Sequence, residues 1–289
     1  MMRGMYSAIS GLRNHQIMLD VTANDLANVN TVGFKASRTS FRDSLAQLQR
    51  SGASATTGNA GAKSAQIGLG VQLGSIDNIM TNGAFQSTGS PYDVAITGNG
   101  WFRVSNTDPD ATTGAFPTPS TLEYTRAGNF TLNDQGELAT QDGWRVVGRK
   151  ADTTTGVLAS PAVDIRIKVP DGATDVSIAP NGAVTYTPSG GGSREFAGYL
   201  SLGSFPNEAG LDRVSANRWQ ATASSGAVVA DTPGNAGLGQ TVGGELEMSN
   251  VDLATEFTNM ITAQRGFEAS SRVLSTCDEM LQTLVNLKH

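Results

Sequence analysis

The chain has 289 residues and a formal net charge of −6, enough length for one large or two modest domains and too little positive charge for a nucleic-acid partner. A single cysteine, Cys277, excludes an internal disulfide, and with two histidines, His15 and His289, it is too few for a zinc centre. Aromatic residues make up only 6% against 34 glycines, which predicts a lean core and many turns.

Residues 2–28 read as a helix. Met5, Leu12, Leu19 and Leu26 recur at every seventh position, with Ile9, Gln16 and Ala23 as a second line. The stretch is broken by Gly and Ser and carries no cleavage site, so it does not read as a secretory signal. Asn28, Asn30 and Gly33 then supply a turn, and Phe34 re-enters a packed surface. Residues 35–49, with Phe41, Leu45 and Leu48, fit either helical or extended spacing. Residues 51–66 are small and polar and read as a mobile loop inside a connecting segment, residues 31–75.

From Gly68 onward the period changes to two. Val71, Leu73, Ile76 and Ile79 precede a turn at Thr81-Asn82-Gly83. Residues 93–104 hold two apolar runs about Gly98-Asn99-Gly100 and predict a hairpin, followed by a polar loop over 106–120. Further strands are expected at 144–149, 163–169, 175–178 and 183–187, the last two joined by Pro180-Asn181-Gly182. Tyr199, Leu202 and Phe205 mark another strand, and residues 219–222 and 227–230 two more. The β region spans residues 76–249.

The last stretch, residues 250–289, organises the rest. Leu253, Met260, Phe267, Leu274 and Leu281 are seven apart, and Phe257, Ile261, Cys277, Leu284 and Leu287 widen the stripe. Ser249 or Asn250 is the expected N-cap, and Lys288 sits near the negative end of the dipole. Such a helix would be about 55 Å long, too long for one side of a compact domain of this size, so it requires a partner. Residues 1–50 carry six Lys/Arg against three Asp/Glu, and residues 245–289 three against seven, which favours pairing of the two ends. The pairing can be a hairpin within one chain, or packing mainly against copies in an assembly; the second is the sharper reading. The expected fold class is α+β, an all-β middle inserted between two heptad helices.

Chemistry-bearing patterns are weak. Gly98-Asn99-Gly100 leads into a strand rather than a helix whose amides could hold phosphate. Asn133-Asp134-Gln135-Gly136-Glu137 lacks the acidic spacing of a calcium loop, and no Gly-x-Ser-x-Gly elbow occurs. Cys277 reads as a small buried hydrophobe. No enzyme, cofactor, metal or small-molecule substrate is expected. A secreted β-rich adhesin would explain the middle of the chain but not matched heptads at both ends.

Read together, the ends resemble the flagellar rod and hook axial proteins. The N-terminal signature is Ala23-Asn24-Asp25-Leu26-Ala27-Asn28-Val29-Asn30-Thr31-Val32-Gly33-Phe34-Lys35, with Asn24-Asp25 where the family pattern usually has a doubled Asn. The middle matches through Asp93-Val94-Ala95-Ile96 and Tyr124-Thr125-Arg126, and the end through Ser249-Asn250-Val251-Asp252-Leu253-Ala254 and Met260-Ile261-Thr262-Ala263-Gln264-Arg265-Gly266-Phe267. The resemblance implies a subunit exported through the flagellar type III apparatus without a cleaved signal. It would polymerise with itself into a helical tube, terminal helices at the channel and β domain outside. Neighbouring axial and junction proteins and the hook cap are the other implied partners. Within the family, Arg265-Gly266-Phe267 and the closing Leu284-Val285-Asn286-Leu287-Lys288 look more like hook, with the distal rod as the alternative.

Overall fold

The computed structural model describes residues 2–52, 61, 63–110, 113–117, 121–159 and 163–287, with side chains from Gly4 onward. Lys288, residues 53–60 and 62 of the expected mobile loop, and parts of the expected loop at 106–120 lie outside the described residues. The chain forms two compact units. The first comprises Met1–Ala27, Ala36–Ile79 and Val251–His289, the second Asn28–Lys35 and Met80–Asn250. The expected connecting segment is therefore divided, residues 31–35 folding with the second unit and 36–75 with the first.

In the first unit, helices α1 (Met2–Ala27) and α2 (Leu253–Asn286) lie side by side. Gly11 faces Ser270, and His15 faces Gly266, so the two run antiparallel within one chain. The N-cap of α2 is Asp252, not Ser249 or Asn250 as expected: its carboxylate accepts from Ala254 N at 2.9 Å and from Thr255 Oγ1 at 3.1 Å. Those hydrogen bonds, the one from the Ala254 backbone foremost, hold its carboxyl below the usual range. Asn250 has other work, donating its side-chain amide to Thr81.

Residues 35–49, ambiguous in sequence, are extended. Strand β1 (Ser37–Asp43) is followed by β2 (Ala46–Arg50), β3 (Ala65–Gly68) and β4 (Val71–Asn78). β1 pairs antiparallel with β4, Ser37 opposite Asn78 and Asp43 opposite Val71, while β2 pairs with β3. The result is a two-stranded ribbon. Buried Asp25 near the end of α1 accepts a hydrogen bond from Ser37 N at 2.9 Å, fixing where β1 starts.

The second unit is built on an antiparallel sheet of thirteen described strands. Trp101–Ser105 lies at its centre between Arg145–Arg149 and Leu122–Thr125, all three short alternating runs rich in β-branched and aromatic residues. One face buries Phe102, Val104, Val146, Ile167 and Leu200, and a smaller cluster gathers Trp101, Tyr124, Phe205, Leu211 and Trp219. Trp101 and Trp219 meet edge to face at 5.6 Å. Thr174–Ile178 and Ala183–Thr187 form the hairpin expected at Pro180-Asn181-Gly182, with Gly182 at φ 79° where only glycine is unstrained.

Two strand expectations are corrected. Val94–Thr97 and Trp101–Ser105 do not pair as a hairpin; Val94–Thr97 pairs instead with Gln240–Gly243. Gly98 and Gly100, at φ 105° and 129°, turn the chain away rather than back on itself, and Gly239 N donates to Asn99 O at 2.7 Å. Tyr199 and Leu202 fall on separate strands, Glu195–Leu200 and Leu202–Ser204, broken at Ser201.

Candidate assembly interface

On α2 the residues turned toward α1 step by three and four: Glu256, Met260, Ala263, Phe267, Ser270, Leu274, Cys277 and Leu281 are half-buried or buried. That is a heptad seam with one large line, Met260, Phe267, Leu274 and Leu281, and one small line, Ala263, Ser270 and Cys277. Ala263 is 0% exposed. The small line lets the helices approach closely, and Gly11 and Gly266 continue that logic. A Cβ on Gly11 would lie 3.2 Å from Ser270 Oγ.

Five expected members of the stripe, Leu253, Phe257, Ile261, Leu284 and Leu287, are exposed and lie off this seam. A strict repeat of seven drifts about 20° per heptad on a straight helix, so widening positions leave the seam for its flanks. On α1 the expected leucine stripe, Met5, Ile9, Leu12, Leu19 and Leu26, is only half-buried, and its second line, Gln16 and Ala23, is exposed. The deepest side chains there are polar: Asn14, Thr22 and Asp25. Thr22 Oγ1 donates to Met18 O at 2.6 Å. An apolar-period reading has no means of finding polar residues in a seam; for Thr22 and Asp25 hydrogen bonds make the burial tolerable.

The second unit carries its own charged cluster, built from the signature residues. Lys35 and Glu247, both 0% exposed, pair at 2.6 Å, and Lys35 Nζ also donates to Thr81 O at 2.8 Å. Arg126 NH1 reaches the other Glu247 oxygen at 3.2 Å, while Gly83 N donates to Oε1 at 3.0 Å. Burial pushes the Lys35 ammonium below its ordinary value, and the Glu247 carboxylate opposes the shift. Around this cluster Gly33 N donates to Glu247 O at 2.7 Å, and Phe34 lies under the Arg213 guanidinium at 4.5 Å. Gly33 is obligatory: at φ 66°, an added Cβ would sit 2.6 Å from the backbone of Arg126 and Ala127.

The remaining signature residues separate by role. Asn28 closes a turn with Thr31, Oδ1 accepting from Thr31 Oγ1 at 3.0 Å. Asn250 N donates to Phe34 O. Ser249 is half-buried, while Asn24, Gln264 and Arg265 are exposed. The position that departs from the family pattern, Asp25, is the buried one that accepts from Ser37. Lys35 and Arg126 were visible in the motifs as residues, but their meeting on Glu247 joins positions up to 212 apart and has no local sequence signal.

Among the described residues no group of His, Cys, Asp and Glu is arranged to hold a metal, and no helix is long and apolar enough to cross a membrane. The chain matches three family models: flagella basal body rod protein over residues 5–35, flagellar hook protein FlgE/F/G D1 domain over 95–186, and flagellar basal body rod FlgEFG protein C-terminal over 242–287. It is 43% identical over 289 residues to the flagellar basal-body rod protein FlgG of Bacillus subtilis, covering 100% of each chain. Identity to FlgG of Caulobacter vibrioides is 37%, over 99% of this chain and 100% of that one. The flagellar hook protein FlgE of Borreliella burgdorferi is 28% identical, in an alignment stretched to 445 positions. A Helicobacter pylori hook protein, FlgE2, overlaps in its crystal structure with 33% of this chain and 26% of its own, at 22% identity and a TM-score of 0.23.

These relatives fit the distal-rod alternative better than hook. The rod proteins align end to end without expansion, whereas the hook protein needs a much longer alignment. The features that suggested hook, Arg265-Gly266-Phe267 and the close of α2, lie in the C-terminal region matched by a model common to FlgE, FlgF and FlgG, and so do not separate them. The chain belongs to the flagellar basal-body rod and hook protein family and is a structural component of the bacterial flagellum.

Proposed function

We propose that this chain is the distal-rod subunit of the basal body, a structural rather than catalytic part that polymerises into a helical tube and passes motor torque outward. The observation that carries the reading is the end-to-end alignment with FlgG at 43% identity, with no inserted outer domain. The helix pair supports it physically. Half-buried Met5, Ile9 and Leu12 and exposed Leu253 and Phe257 leave apolar flanks that only further copies would cover. Unlike surfaces that meet head to tail without closing generate open filaments. Neighbouring axial and junction proteins at the two ends of the tube, and export through the type III apparatus, follow from the same reading.

The test is electron microscopy of purified protein allowed to polymerise, with complementation of a non-motile strain lacking the chain. Straight tubes and restored swimming are expected. Curved tubes would return the assignment to hook, and absence of any polymer would remove the axial reading altogether.

A further inference from the structure

α2 outruns α1. With Gly11 at the level of Ser270 and His15 at the level of Gly266, the start of α1 reaches only to about residue 279 of α2, both helices rising equally per residue. Among the described residues, the last stretch, 280–287, therefore runs past the start of α1, with half-buried Leu281 at the boundary. Five of its eight residues are apolar: Met280, Leu281, Leu284, Val285 and Leu287. Exposure rises along it, reaching 81% at Leu287. An isolated helical end of this composition is a surface awaiting cover. Just before it stand exposed Asp278 and Glu279.

The same unit holds a groove of about 300 Å³, of mixed apolar and polar lining, between the first half of α1 and the start of β4. Its apolar lining is Tyr6, Ile9, Val71 and Leu73, and Arg13 lines it together with other polar side chains. Tyr6 is 62% exposed and Val71 40%, so the groove is open to a visitor. Its own α2 tip cannot be that visitor: Leu284 lies about 18 Å further along the axis than the level of Ile9.

We infer that the α2 tip of one copy, residues 280–287, docks into the Tyr6–Ile9–Val71 groove of the next copy, with Glu279 facing Arg13. The occupant is a second copy of this chain for two reasons. The charges are complementary within one sequence, acidic at the tip and basic at the groove, in line with the opposite balances of residues 245–289 and 1–50. Tip and groove are also different surfaces on the same unit, so each copy that fills a groove presents a new tip, and the contact repeats without closing. This inference rests on the rod reading and supplies its longitudinal contact.

The experiment uses the full chain carrying Tyr6→Cys and Leu284→Cys, polymerised and then mildly oxidised. A ladder of disulfide-linked oligomers on a non-reducing gel is expected. The parent chain, whose only thiol is buried Cys277, should give none, and Tyr6→Cys with Gln264→Cys should give none either. Tubes that form without the ladder, or with an equal ladder from Gln264→Cys, overturn the docking while leaving the rod reading intact. Failure of the parent chain to polymerise overturns both. A charge-swap series covers the case in which the cysteine variant does not fold. Arg13→Glu and Glu279→Arg should each slow elongation by about fivefold, and the double variant should recover to near the parent rate. A double variant as slow as the singles overturns the pairing.

Discussion

Gly266 lacks a side chain at the place where the His15 ring stands: a Cβ there would lie 2.8 Å from His15 Nδ1 and closer still to Cε1. The ring is not free to swing aside at will, since Phe41 meets it edge-on at 6.4 Å. Alanine in place of glycine would favour the helix by about 1 kcal/mol, but overpacking of this kind costs about 1–3 kcal/mol. Gly266→Ala is therefore expected to destabilise the helix pair, read as an earlier loss of far-ultraviolet helical signal in urea. In the double variant Gly266→Ala with His15→Ala the penalty should disappear. Persistence of the loss in the double variant would mean that another contact sets the limit.

Phe267 is half-buried in the large line of the α2 seam. Replacing it with Asp would put an unpaired carboxylate against α1, at a cost of about 3 kcal/mol or more. All three tryptophans, Trp101, Trp144 and Trp219, lie in the second unit, so their fluorescence reports that unit separately. Phe267→Asp should abolish polymerisation and swimming with the fluorescence transition unmoved. Normal swimming would place Phe267 outside the assembly core.

In the buried cluster, Glu247 serves two cations and Lys35 serves one anion. Removing Glu247 leaves both Lys35 and Arg126 uncompensated, whereas removing Lys35 leaves the Arg126–Glu247 pair. Breaking a buried pair costs about 3–5 kcal/mol. Glu247→Ala should therefore reach or exceed that range in urea unfolding followed by tryptophan fluorescence, and Lys35→Met should cost clearly less. Equal losses would mean that Arg126 contributes nothing to the cluster.

Glu137 is buried and bound on both oxygens, Arg145 Nε at 2.8 Å and Arg166 NH1 at 2.7 Å. Burial alone would raise its carboxyl, but hydrogen bonds from Arg145 and Asn133 and the two guanidinium charges outweigh it, and the net shift is downward from 4.5. A depressed carboxyl contributes its full stability above the unfolded value, and loses it as pH falls through the folded one. The second unit should thus weaken as pH drops below about 4.5, and Glu137→Gln should flatten that part of the profile while lowering stability near neutrality. A variant with the parent's acid profile would show that other carboxylates carry the dependence.

Much of the helix pair was legible because a seam of small and large apolar residues repeats with the helix. Met260, Phe267, Leu274 and Leu281 could be read directly, and Pro180-Asn181-Gly182 announced its turn through a glycine that must be left-handed. Residues 93–104 were misread because two apolar runs about two glycines look alike whether the strands pair with each other or leave in different directions. Asn14, Thr22, Asp25, Lys35 and Glu247 escaped for a common reason. All five are polar side chains buried by their surroundings, and hydrophobic pattern is blind to that. Rod and hook could not be told apart from motifs that both share; full-length alignment favours the rod proteins through what lies between the motifs.

Gly33 N and Glu247 O stand 2.7 Å apart and Met248 N and Ala84 O 2.9 Å, so the segments by which the chain enters the second unit are clasped to the strand by which it leaves. A module whose two ends meet can be lengthened, shortened or exchanged without altering the gap that the rest of the polypeptide has to span. Grafting a foreign domain with adjacent termini between Ala84 and Met248, where Met248 N donates to Ala84 O at 2.9 Å, would respect that geometry. The same arrangement makes a socket, in which modules of very different size can be fitted to one pair of terminal helices.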